Sequence, residues 1–110
     1  MNQSACKRKP LPDPLSGPAK FRAIISGQVQ MVGFRAFAEM RALRCGATGY
    51  VCNLPSGEVE VVAEGDRKQL EEFVEDLRRG PRGARVDHIG VSWEAPRGEF
   101  PDFSVRFARW

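Results

Sequence analysis

An arginine in the first turn of a helix, preceded by a glycine-bounded turn, is the strongest chemical signal in this chain. The stretch reads Gly27-Gln28-Val29-Gln30-Met31-Val32-Gly33-Phe34-Arg35. Backbone N–H groups in such a turn converge on one small space. The positive end of the helix dipole adds to them, and the result is an anion site. The planar guanidinium of Arg35 can hold two oxygens of a phosphate or carboxylate at once. Asn53, just ahead of Leu54-Pro55, adds a neutral amide that can both donate to and accept from a water. Each has a plainer reading: Asn53 satisfying its own turn, and Arg35 as a solvated charge.

Other chemistries find little support. His88 is the only histidine, and no cysteine pair or carboxylate cluster has ligand spacing, so no metal site is expected. His88 is out of phase with Ile89 and Val91 and reads as a surface strand residue. Ser26, Ser56, Ser92 and Ser104 lack a nucleophile-elbow context. Gly33 is followed by Phe34-Arg35 instead of Lys-Ser/Thr, so the loop is not a Walker A motif. What remains is an anion cradle without an evident protein base.

The elements that must position this cradle follow from periodicity. Phe21 to Gln28 reads as a strand and Phe34 to about Cys45 as a helix. Phe34, Phe37, Ala38, Ala42 and Cys45 form its apolar stripe, Arg41 is the one break, and Gly46 lies just past its end. Ala47 to Asn53 and Glu58 to Glu64 are the next strands, joined by the turn Leu54-Pro55-Ser56-Gly57. In the second of these, Val59, Val61 and Ala63 are expected to face a core, with Glu58, Glu60 and Val62 on a mostly wet face. Asp66 and Gln69 form a capping-box-like pair ahead of a helix with Leu70, Phe73, Val74 and Leu77 inward. Gly80 and Pro81 stop it. Val86 to Glu94 is a fourth strand. Phe103, Val105 and Phe107 alternate in a fifth, whose place in the sheet the sequence leaves open. The order β-α-β-β-α-β-β predicts an α+β fold of the split βαβ kind: a mostly antiparallel sheet with two helices on one face.

Bulk properties bound the rest. The 110 residues suffice for one domain, with 42% hydrophobic and 28% charged residues. Residues 1–19 contain Pro10, Pro12, Pro14, Pro18 and Gly17 and few apolar side chains, so a flexible extension is expected there and a folded domain over 20–110. The net charge of +3 is concentrated in that tail, through Lys7, Arg8 and Lys9, and leaves the remainder nearly neutral. No apolar run is long enough to span a bilayer, and no secretory signal is evident, so a cytoplasmic location is expected. Cys6, Cys45 and Cys52 are too few and too scattered for a disulfide framework, and Cys45 and Cys52 are expected as buried apolar residues. RNA-binding sheets of similar element order carry aromatics on the third strand; here that strand is Glu58-Val59-Glu60-Val61-Val62-Ala63, and no nucleic-acid partner is expected.

The stretch Gly27 to Arg35 resembles the G-x-V-Q-G-V-G-F-R signature of the acylphosphatase family. Gly49-Tyr50-Val51-Cys52-Asn53 is similar to the family's G-x-V-x-N motif, Gly57 to the glycine of the following turn, and Phe103-Ser104-Val105-Arg106-Phe107 to its terminal strand. The likeness covers about residues 20–107. It implies a ferredoxin-like α/β sandwich and an enzyme that hydrolyses the carboxyl–phosphate bond of acyl phosphates without metal or cofactor. By position, Arg35 would bind the phosphate and Asn53 would hold the attacking water. The backbone of Gln30, Met31, Val32, Gly33 and Phe34 would line the cradle. A monomer acting on a small-molecule acyl phosphate, with no membrane partner, is the corresponding expectation. The alternative is a non-catalytic phosphate- or carbamoyl-phosphate-binding module on the same fold. The chain departs from the signature at Met31, where the family usually has glycine. That is either a strained position, if φ is positive there, or a tolerated side chain pointing to solvent; a neutral effect is expected.

Overall fold

The computed structural model describes residues 17–107. Cys6, the basic cluster and nearly all of the expected extension lie outside the described residues. Strand β1 (Pro18–Gln28) buries Ala19, Phe21, Ala23 and Ile25 at every second position, as a half-buried strand must. It starts three residues before Phe21, because Pro18, Ala19 and Lys20 pair with Asp66, Gly65 and Glu64. Helix α1 (Phe34–Arg44) buries Phe34, Ala38 and Ala42. Arg41, the break in its stripe, sits over the Phe37 ring at 5.2 Å and pairs with Asp76 at 3.7 Å. Strands β2 (Thr48–Asn53) and β3 (Val59–Asp66) form a hairpin, antiparallel from Thr48↔Glu64 to Asn53↔Val59.

Helix α2 (Arg67–Arg79) buries Leu70, Phe73, Val74 and Leu77, as its spacing predicts. The Asp66 carboxylate accepts the Gln69 N–H at 3.3 Å. That is half of the expected capping pair; no return bond from the Gln69 side chain is made among the described residues. Strands β4 (Arg85–Glu94) and β5 (Phe103–Arg106) complete a five-stranded sheet ordered β4-β1-β3-β2-β5. All pairs are antiparallel except β2 with β5. The fifth strand is therefore a short parallel edge. It ends before Phe107, which is exposed rather than part of the alternation.

Both helices cover one face of the sheet. The core there joins Phe21, Ala23 and Ile25 of β1, Val59, Val61 and Ala63 of β3, Val51 of β2 and Phe103 of β5 to the buried residues of α1 and α2. Phe73 meets Phe21 and Phe103 edge to face at 5.8 and 6.0 Å, a geometry that aromatic rings favour.

The opposite face corrects one expectation. β3 is not wet there: Glu60 is 1% exposed, Val62 5% and Glu64 6%. β3 lies third of five in the sheet, and the segment after β4 folds across its back. Phe100 meets Tyr50 edge to face at 5.9 Å, forming a second small core with Cys52, Val62 and Leu54. Glu64 accepts the N–H groups of Arg97 and Gly98 at 3.2 and 2.8 Å. Lys20 reaches Glu94 at 3.8 Å and Glu99 at 3.6 Å. Glu60 takes the Arg22 guanidinium at 2.7 Å, the Tyr50 hydroxyl at 3.2 Å and the Cys52 thiol at 3.5 Å. A buried carboxylate costs little once such donors surround it. Each acid that alternation assigns to water thus has its own partners.

Candidate functional site

The loop between β1 and α1 is shaped by backbone constraints at both ends. At Gly27, φ is 130° and the β1–β4 register shifts. A Cβ there would run into the Arg85 carbonyl, so only glycine fits. Gly33 caps α1 with φ 80°, and no side chain caps the helix. Helix α2, by contrast, is capped by the Asp66 carboxylate. α1 also has no acidic residue in its first turn, so its leading N–H groups remain available to an anion.

A cleft of about 270 Å³ opens at this helix end, lined by Val29, Met31, Gly33, Phe34, Arg35, Ala36, Glu39, Asn53, Val105 and Phe107. That is just under the roughly 300 Å³ at which pockets for drug-sized ligands begin, so the cleft suits a small anion. Arg35 and Asn53, separated in sequence and carried by α1 and β2, meet here. Arg35 Nη1 donates to the Arg106 carbonyl at 3.4 Å, and its guanidinium lies 5.7 Å from the centre of the Phe107 ring. No carboxylate pairs with it among the described residues. The Asn53 Oδ1 is buried without a hydrogen-bond partner. Such an atom carries a desolvation cost until something donates to it.

The five expected loop residues divide. Met31, Gly33 and Phe34 border the cleft, and Phe34 also anchors the loop in the core. Val32 packs against that core instead. Gln30 turns its side chain away: Nε2 donates to the Leu54 and Glu58 carbonyls, each at 2.9 Å. Met31 has φ 64°, the only positive φ among described non-glycine residues, and its side chain is 99% exposed. Both possibilities raised by the sequence hold together: the backbone is left-handed and the side chain meets only water.

Ala36, Glu39, Val105 and Phe107 also line the cleft and were not expected there. Glu39 lies one helical turn beyond Arg35 on the same side, a spacing that was readable. Val105 and Phe107 reach the cleft only because β5 runs parallel beside β2. His88 is exposed on β4, as expected. Cys52 is buried and Cys45 half-buried; burial pushes the Cys45 thiol up from its ordinary value. Among the described residues, no three histidine, cysteine or acidic side chains are placed to hold a metal ion, and no helix is long and apolar enough to cross a membrane.

The family model for acylphosphatase matches residues 21–105. An acylphosphatase of Thermus thermophilus is 51% identical over 76 residues, covering 69% of this chain and 86% of that protein. The crystal structure of acylphosphatase from Bacillus subtilis superposes with TM-score 0.78 at 35% identity, over 80% of this chain and 98% of that one. Full-length HypF in its phosphate- and nucleotide-bound form is similar with TM-score 0.77 at 29% identity, but this chain spans only 12% of it. The ferredoxin-like sandwich, the two sequence motifs that meet in one cleft and these matches together place the chain in the acylphosphatase family.

Proposed function

We propose that this protein hydrolyses acyl phosphates to a carboxylate and inorganic phosphate at the cleft between α1, β2 and β5. The observation that carries the reading is the buried, unpartnered Asn53 Oδ1 beside Arg35 and the uncapped start of α1. Arg35 and the loop N–H groups from Gln30 to Phe34 would hold the phosphoryl oxygens. Asn53 would accept a hydrogen bond from a water and aim its oxygen at phosphorus. As that oxygen bonds to phosphorus, the bond from phosphorus to the carboxyl oxygen breaks, and its electron pair leaves with the carboxylate. The water's proton passes to a phosphate oxygen.

The chemistry suits so sparse a site. A carboxylate is stable as an anion, so the leaving group needs no protein acid. Positioning and charge stabilisation then supply most of the acceleration, because the transition state spreads negative charge over the equatorial oxygens that Arg35 and the N–H groups would meet. Residues 20–110 would form the catalytic domain, with the preceding segment as an extension to it.

Benzoyl phosphate hydrolysis by the purified protein, with and without a chelator, tests the reading beside Arg35→Gln and Asn53→Ala. The expected result is turnover that survives the chelator, is nearly abolished by Arg35→Gln and falls in kcat with Asn53→Ala while the fold is retained. Phosphate binding without hydrolysis would instead support a binding module. Full activity of Asn53→Ala would remove that residue from the mechanism.

A further inference from the structure

The cradle and the water-holding amide come from different elements, so something must fix the distance between them. Gln30 opens the cradle, and its amide reaches the turn that directly follows Asn53. Its two N–H bonds go to carbonyls at the two ends of that turn, Leu54 and Glu58. The turn is already closed on itself, by Leu54 N–H to the Glu58 carbonyl at 2.8 Å and Gly57 N–H to the Leu54 carbonyl at 3.0 Å. It therefore needs no bond from Gln30 to exist. What the Gln30 amide adds is a tie between two rigid pieces, one bearing the phosphate donors and the other Asn53.

We propose that Gln30 is a positioning residue, whose side-chain amide sets the span between the anion cradle and Asn53 and thereby acts on turnover rather than on phosphate binding. The inference rests on the proposed hydrolysis. A misplacement of about 1 Å between reacting groups can cost two orders of magnitude in rate. The phosphate donors, by contrast, are main-chain N–H groups and Arg35, which the Gln30 amide does not touch.

The test is a double-mutant cycle on benzoyl phosphate hydrolysis, read together with the inhibition constant of inorganic phosphate. Gln30→Ala is expected to lower kcat by about tenfold to a hundredfold and to change the phosphate inhibition constant by less than about threefold. In the Asn53→Ala background the same change should cost under threefold, because the group it aims is gone. Gln30→Glu has the same shape but, when ionised, no donor, and should fall at least as far as Gln30→Ala. Far-ultraviolet circular dichroism confirms folding. If Gln30→Ala does not fold, Gln30→Asn, one methylene too short to reach both carbonyls, takes its place in the cycle. Wild-type kcat in the alanine variant, an equal loss in both backgrounds, or a parallel loss of phosphate affinity overturns the inference while leaving the hydrolysis intact. Absence of hydrolysis by the parent protein overturns both.

Discussion

Replacing Met31 with glycine should make the protein more stable. At φ 64° a residue with a Cβ gives up roughly 1–2 kcal/mol relative to its preferred backbone. The side chain is 99% exposed, so its removal leaves no cavity and breaks no contact. Glycine returns about 0.5–1 kcal/mol through the greater freedom of its unfolded chain. The net is a gain of about 0.75 kcal/mol at mid-range, with an upper bound of about 1.5 kcal/mol. In a domain of this size the mid-range gain corresponds to a rise of about 3–6 °C in Tm. Urea titration and thermal melting measure it, with Met31→Ala as the control. Alanine keeps the Cβ and the left-handed backbone, and so should match the parent within about 0.5 kcal/mol. Turnover of Met31→Gly should equal or exceed that of the parent, since the loop is relieved of a conformational cost and loses no polar group. If glycine and alanine shift the urea midpoint equally, or if glycine lowers it, the strain argument is wrong.

Arg35→Lys should lose at least tenfold in kcat, because an ammonium cannot reproduce the two-pronged guanidinium geometry; near-normal steady-state turnover would contradict this. Glu60→Ala should destabilise the fold by about 2–3 kcal/mol in urea titration, since it strips the Tyr50 hydroxyl, the Cys52 thiol and Arg22 of their shared acceptor; a change under 0.5 kcal/mol would mean that they find other partners. Asp66→Ala should cost about 1 kcal/mol through loss of the α2 cap, and a Tm equal to the parent's would show the cap to be dispensable. In a Cys6→Ser background at pH 8, Cys45 should react with a thiol reagent more slowly than free cysteine. Burial raises its pKa, so its thiolate fraction at that pH is smaller; a rate at or above that of free cysteine would refute this.

What the sequence revealed and what it hid have separate physical causes. Helix α2 was readable almost residue by residue because cap, stripe and stop all act within a few positions of one another. That Arg35 and Asn53 border one cleft was readable because each sits at the end of an element, at a turn with a sequence signature. The burial of Glu60 and Glu64 was not readable. Alternation tells which residues share a face, but not whether a distant segment comes to cover it, and Phe100 and the Arg97-Gly98 backbone arrive from more than 30 residues away. The parallel placement of β5, and with it Val105 and Phe107 in the cleft, was hidden for the same reason. The contacts of the Gln30 side chain with Leu54 and Glu58 lay hidden in the motif itself, since the signature records the residue but not the direction in which it points.

The segment that crosses the back of the sheet also works as a ruler. The chain leaves β4 at one edge and must re-enter as β5 at the other, four strand spacings away, a distance of about 19 Å. Nine residue steps from Glu94 to Phe103 reach at most about 30 Å when fully extended. The excess is consumed in climbing over Lys20, Glu64 and Tyr50 and descending to the Gly49 N–H, which bonds the Asp102 carbonyl at 2.9 Å. Shortening this path by three residues removes the slack and drags β5 out of register with β2. The Arg106 carbonyl would then leave Arg35. The length of a loop on the far side of the sheet therefore sets where the Arg106 carbonyl meets the Arg35 guanidinium.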